Sequence, residues 1–217
     1  MLQGGAKALE MNRAIVDELN VFPVPDGDTG TNMSMTLASA VREANACESL
    51  LIDEIALAFS KGALRGARGN SGVISSQIFS GFAVALEGKA DINAKTFAEC
   101  LKKGTEIAYS AVTKPKEGTI LTVVRAMAEE AQSASRGKKV EFESFLKKVI
   151  DAGEDILQKT PEMLPVLKKA GVVDAGGRGL VTVFDGMYRT LVGEELTLIS
   201  GGKIAPEQSE PIATGQE

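Results

Sequence analysis

The densest set of chemically able side chains lies in Asn20-Val21-Phe22-Pro23-Val24-Pro25-Asp26-Gly27-Asp28-Thr29-Gly30-Thr31-Asn32. Two prolines in three positions forbid a regular helix and stiffen an extended approach. Asp26 and Asp28 follow, one glycine apart, and a turn of this kind can aim both carboxylates at one point. Two anions so close repel unless a cation sits between them. At Thr29-Gly30-Thr31-Asn32 a helical pattern starts. A helix N-terminus offers free N–H groups and the positive end of the helix dipole, both suited to phosphate. One short segment thus supplies oxygen ligands for a hard divalent metal and donors for anionic oxygens, which is what a metal–nucleotide complex requires. Taken alone, Asp-Gly-Asp reads first as an exposed Asx turn with an Asp or Thr cap. The rigid prolines and a second glycine loop turn the reading toward metal and phosphate.

That second loop is Gly66-Ala67-Arg68-Gly69-Asn70-Ser71-Gly72, opening a helix over 70–87. Its glycines allow close backbone approach, Asn70 or Ser71 can cap, and Arg68 can meet negative charge. It is not a Walker A loop, because no Gly-Lys-Ser/Thr follows, and no strand precedes it as a dinucleotide fingerprint needs. A third loop, Val172-Val173-Asp174-Ala175-Gly176-Gly177-Arg178-Gly179, either caps a flat ligand ring or simply joins two helices. A fourth, Pro115-Lys116-Glu117-Gly118-Thr119-Ile120, opens another helix with Thr119 as an ordinary cap. If helices alternate up and down, the starts near 30, 70, 118 and 177 belong to every second helix and gather at one rim.

The elements that must position these loops are helices. Met33, Leu37, Val41 and Ala44 keep the helical period, as do Ile74, Ile78, Phe82 and Leu86. Further apolar stripes run from Phe142 to Leu157 and from Leu180 to Leu191, and weaker ones cover 5–19, 52–66, 94–113 and 118–133. No run of alternating strands is evident. About eight helices of ~15–20 residues with short connections predict an all-α closed barrel or bundle of antiparallel amphipathic helices. Gly62, Gly66, Gly81, Gly104 and Gly153 fall inside these helices, where close helix–helix approach offsets their poor propensity. Residues 1–193 form one domain in this reading. Residues 194–217 read as a linker or disordered tail.

Composition narrows the chemistry. The 217 residues contain no His, so no Ser-His-Asp triad, His base or His metal ligand exists in the chain. Cys47 and Cys100 cannot build a zinc site by themselves and read as small buried hydrophobes. Any metal is therefore held by oxygen. The net charge is −5, of which −4 falls on 194–217, and neither part has the basic balance of a nucleic-acid binder. No apolar run reaches the ~20 residues that span a bilayer, and the start lacks a signal peptide's pattern. The chain is expected in the cytoplasm.

Four segments, 19–33, 66–73, 114–122 and 171–179, together resemble the nucleotide-binding domain of bacterial fatty acid kinase, the FakA subunit. That domain is similar to DhaL, the ATP/ADP-binding subunit of dihydroxyacetone kinase. The resemblance covers about residues 1–193 and implies an all-α barrel of eight antiparallel helices. It implies ATP or ADP held with two Mg²⁺ at the rim, with Asp26 and Asp28 as metal ligands and catalytic residues. DhaL has a third Asp upstream, and the nearest equivalent here is Asn20, with one extra residue in the spacing. Thr29, Gly30, Thr31, Asn32, Gly69, Asn70, Ser71 and Gly72 would hold phosphates, and Thr119, Asp174, Gly176 and Gly177 would lie near the nucleoside.

In such systems the acceptor is a fatty acid presented by a FakB-type fatty-acid-binding protein, and the product is an acyl phosphate. The full-length state expected from the resemblance is a homodimer, with a first helix that starts before Met1 and further domains after the linker. Four other readings compete. They are a dihydroxyacetone-kinase-like subunit, a haloacid-dehalogenase-like phosphatase with Asp26 as nucleophile, a Ca²⁺ loop starting at Asp26, and a non-catalytic helical module that holds a lipid. The Ca²⁺ loop lacks the Glu required at its twelfth position, which is Leu37.

Overall fold

The computed structural model describes residues 1–137 and 139–199. Its helices are α1 (Leu2–Met11), α2 (Arg13–Glu18), α3 (Thr29–Asn45), α4 (Ile52–Arg65), α5 (Gly69–Leu86), α6 (Ala94–Ala111), α7 (Ile120–Ala134), α8 (Phe142–Gln158), α9 (Thr160–Met163), α10 (Pro165–Ala170) and α11 (Ala175–Val192). Among the described residues there is no β-strand. That removes the haloacid-dehalogenase reading, which needs its aspartate at the end of a parallel strand.

Each long helix packs on the next, and α11 closes the ring onto α1. The expected eight helices are the ring. The additional elements are a break in the first helix and two short turns, α9 and α10, each opened by a proline. The break falls at Asn12, which carries no sequence signal of a break. Its buried amide donates to the carbonyls of Ala8 (2.8 Å) and Thr197 (3.1 Å) and accepts the N–H of Ile199 (2.7 Å). The side chain serves the backbone of residues 197 and 199 as a neighbouring strand would. The expected linker at 194–217 therefore begins with a pinned stretch. Residues 200–217 lie outside the described residues.

Core volume comes from aliphatic side chains and one aromatic group. Phe82, Phe97 and Phe184 meet with ring centroids 5.4–6.4 Å apart, and Phe145 joins at 6.0 Å from Phe97. Phe97 and Phe145 sit near the starts of α6 and α8, and Phe82 near the end of α5. Antiparallel alternation therefore puts this group in the half of the barrel away from the rim at which α3, α5, α7 and α11 begin. Phe97, Phe145, Phe184, Leu101 and Met127 are among the most fully buried side chains of this interior.

Two internal glycines set the tightest crossing. A β-carbon on Gly81 of α5 would fall on the backbone of Gly104 in α6, and one on Gly104 would come within 2.7 Å of the Ile78 carbonyl. Both cysteines are free. Cys100 is buried, which pushes its thiol up to about 12, and Cys47 is only half-buried.

Candidate functional site

The four glycine-rich helix starts do gather at one rim. Met33, one turn into α3, packs against Gly179, one turn into α11, so these helices run parallel with level starts. On one side of α3, Gly69 abuts the Asn32 side chain and the Ser71 hydroxyl donates to the Thr29 carbonyl (3.4 Å). On the other side of α11, Gly176 approaches Ile120 and Gly177 approaches Val123 of α7. The order round the rim is α5, α3, α11, α7.

The start of α3 is unusual in which carboxylate caps it. Asp28 occupies the N-cap position, where an Asp ordinarily accepts an N–H of the first turn, yet its side chain makes no capping bond. Asp17 of α2 does that work. It accepts the Thr31 N–H at 2.9 Å and the Thr31 hydroxyl at 2.8 Å. The Asp28 carboxylate is left at the surface beside Asp26. Burial pushes the Asp28 carboxyl above its ordinary range, the Asn32 side chain opposes this, and the like charges of Asp26 and Asp17 add to it. The reading of Asp-Gly-Asp as a simple capped turn is thereby corrected.

Asn20 closes the group. Its amide nitrogen donates to Asp26 (2.8 Å), while its oxygen is buried with no hydrogen-bond partner. Among the described residues no three acidic, His or Cys side chains converge as a metal set. The donor set is two carboxylates and an orphan amide oxygen. All are hard oxygen ligands, and a cation with few protein ligands that completes its shell with water and phosphate fits them. These residues therefore fit Mg²⁺.

The start of α5 also lacks a side-chain cap, and its N-cap residue is Arg68, exposed to solvent. A cation at the positive end of a helix is electrostatically unfavourable by itself and favourable beside an anion. Neither Asn70 nor Ser71 caps, contrary to expectation, so the N–H groups of Gly69, Asn70 and Ser71 stay in orphan positions. Arg68 instead donates its backbone N–H to the Thr36 hydroxyl (3.2 Å), which fixes the loop on α3.

The other half of the rim is more closed. Thr119 stands at the N-cap of α7 but does not cap, correcting the sequence reading. Its hydroxyl turns back to the Lys116 carbonyl (2.8 Å). Asp174 caps α11 through Gly177 N–H (2.7 Å), and its own N–H is held by the buried Thr160 hydroxyl (3.0 Å). Asp174, Gly176 and Gly177 are buried, so they form the floor under this part of the rim rather than its exposed surface. Below them Arg178 makes a bidentate pair with Glu154 of α8 (2.7 and 2.9 Å).

Asp17 is the site residue that the sequence did not single out. It lies 14 residues before its partner, in a helix that also carries Glu18. Asp17→Ala removes the cap of α3 and should cost about 1–2 kcal/mol of stability, read as a lower urea midpoint with unchanged m-value.

Asp174 gives a separate signature. Complete burial raises its carboxyl from 3.8 to about 6, against the N–H bonds from Gly177 and Ile120 that pull it down. The folded state binds this proton more tightly than the unfolded chain. Its contribution to stability is thus full below about pH 4 and is lost as pH rises through about 6. Relative to Asp174→Asn, the wild type should lose on the order of 3 kcal/mol between pH 4 and 7. Urea titrations of both proteins across that range check the sign.

Comparison with known proteins identifies a family and a fold. The DAK2 domain profile matches residues 23–189. Protein YloV of Bacillus subtilis (strain 168) is 48% identical over 194 residues, covering 89% of this chain and 35% of that protein. Protein SAB1090 of Staphylococcus aureus (strain bovine RF122 / ET3-1) is 47% identical over 196 residues, covering 90% and 36%. The chain therefore spans about a third of the length of the curated relatives it matches. Among solved structures, the dihydroxyacetone kinase of C. freundii in its native form aligns with a TM-score of 0.59 at 18% identity, covering 87% of this chain and 33% of that one. At that identity the likeness establishes the shared all-α fold.

Proposed function

The chain belongs to the DAK2 domain family, and from that premise we propose that it is the Mg-nucleotide-binding domain of an ATP-dependent phosphotransferase. The observation that carries the reading is the α3 start. A carboxylate from another helix caps it, which frees Asp28 to stand beside Asp26 and the orphan oxygen of Asn20.

In this reading Asp26 and Asp28, with Asn20, hold two Mg²⁺ with the phosphates of ATP or ADP. Bound Mg²⁺ supplies charge neutralisation on the phosphoryl group that moves. The chain does the positioning. Thr29, Gly30, Thr31 and Asn32 face the phosphates from α3, and Gly69, Asn70, Ser71 and Gly72 face them from α5, with Arg68 offsetting their charge. Thr119 borders the nucleoside side, over the floor built by Asp174, Gly176 and Gly177.

The acceptor we propose is a fatty acid carboxylate presented by a FakB-type carrier protein in the cytoplasm. A carboxylate oxygen attacks the γ-phosphorus, the bond to the β,γ-bridging oxygen breaks, and acyl phosphate and ADP result. A carboxylate is already ionised at neutral pH and needs no general base, which suits a chain without His. The second reading, transfer to a hydroxyl of a dihydroxyacetone-like substrate, is favoured by the fold shared with the C. freundii kinase but requires a proton acceptor.

Calorimetric titration of ATP tests the nucleotide reading. Binding in Mg²⁺ that disappears in EDTA is expected, and equal binding in both refutes the metal-dependent site. The acceptor is tested with the full-length protein, ATP, and either a lipid-loaded carrier or dihydroxyacetone. Trapping with hydroxylamine should yield the acyl hydroxamate, whereas dihydroxyacetone phosphate as the product would establish the second reading.

A further inference from the structure

Asn12 stands where α1 gives way to α2. An Asn in that place ordinarily accepts an N–H from the first turn of the helix it precedes. Here the side chain makes no capping bond to α2. Its oxygen takes the Ile199 N–H and its nitrogen the Thr197 carbonyl, and only 1% of the residue is exposed.

Those partners belong to a strap that returns over the barrel. Gly4 lies against Thr190 and Leu9 near Gly179, so Asn12 is level with the first half of α11. The chain leaves α11 at Gly193, at the opposite end, and comes back to reach Asn12.

α2, which starts after Asn12, is the seat of the metal and phosphate side of the rim. A β-carbon on Gly30 would fall 2.3 Å from the Arg13 carbonyl oxygen and 3.0 Å from the Val16 β-carbon. Asp17 caps Thr31, and its carbonyl accepts the Asn20 N–H (3.1 Å). Gly30, Thr31 and Asn20 therefore all rest on α2. Without the strap, the buried amide of Asn12 keeps only the Ala8 carbonyl. An unpaired buried oxygen favours rearrangement of the break until water reaches it, and α2 hangs on that break.

We propose that Asn12 is a positioning residue for the nucleotide site. It ties the Thr197–Ile199 strap to α2, so that strap docking and Mg-nucleotide binding strengthen each other, a coupling that rests on the Mg-nucleotide reading given above. Coupling of two equilibria is reciprocal, so one factor is read from either side.

Asn12 is buried, so the test alters the strap instead. Ile199→Pro removes the N–H that Asn12 accepts, whereas Ile199→Ala keeps it. Both are made in the 217-residue chain and read by amide hydrogen exchange and by calorimetry with Mg-ATP. Ile199→Pro should speed exchange of the Thr31 N–H, which Asp17 holds, and weaken Mg-ATP binding about tenfold. Ile199→Ala should do neither. In the wild type, Mg-ATP should slow exchange of the Ile199 N–H by the same factor, which a contact that only adds stability would not show. Thr31 exchange unchanged by Ile199→Pro overturns the proposal, as does an unchanged affinity or an equal effect of Ile199→Ala. A wild type that does not bind Mg-ATP refutes the nucleotide reading, and Thr31 exchange then decides whether the strap positions α2.

Discussion

Asp26→Asn combined with Asp28→Asn should abolish Mg²⁺-dependent ATP binding, lowering affinity at least about 100-fold, without lowering the melting temperature. The two halves of this result have one physical origin. Asp28 is held above its ordinary titration range by burial and by the like charges of Asp26 and Asp17. The folded protein is thus working against that repulsion when no cation is present. Neutral amides remove the repulsion, so stability should stay level or rise, while the oxygens lose the charge that holds a divalent ion. Capping is unaffected, because Asp17 and not Asp28 closes the first turn of α3. Calorimetry with ATP and Mg²⁺, beside a thermal melt without nucleotide, reads both. A variant that loses binding and stability together would show that the carboxylates are structural.

The largest expected effect on stability is at Gly81→Ala. In an exposed helix interior this change gains about 1 kcal/mol from propensity. Here the added methyl meets the backbone of Gly104 and Lys103, not the movable end of a side chain. α5 and α6 must separate, and the neighbouring Ile78, Phe79 and Phe82 lose packing with them. Overpacking of this kind costs about 1–3 kcal/mol or more, so after the propensity gain a net loss of up to about 2 kcal/mol should remain. Urea denaturation of the variant measures the net sign. A stabilised Gly81→Ala protein would mean that the crossing is looser than its geometry indicates.

The helices were legible where apolar periodicity and glycine punctuation coincide. A helix expected over 70–87 spans Gly69–Leu86, and one expected over 118–133 spans Ile120–Ala134. The parallel rim followed from alternation alone, because short connections leave little choice of direction. What stayed hidden depends on partners distant in sequence. The break at Asn12 is set by residues 197 and 199, and nothing local marks it. Asp17 looks like any acid on a helix until the fold brings it to Thr31. Thr119 has the residue type and position of a cap, yet a turn carbonyl takes its hydroxyl. Asp174 and its glycines read in sequence either as a cap on a flat ligand ring or as a joint between two helices. Their burial follows from Ile120, Val123 and Leu157 packing over them, which residue type alone does not reveal.

We propose that the adjoining starts of α3 and α5 form a metal–nucleotide rim. This is tested most directly by following backbone amide resonances during a titration with Mg-ATP. The largest shifts should fall on Thr29, Gly30, Gly69, Asn70 and Ser71, and Mg²⁺ without nucleotide should move Asp26, Gly27 and Asp28. Shifts centred elsewhere, for example on the α8 and α11 surface around Glu154 and Asp185, would contradict it, as would an unchanged spectrum from the folded protein.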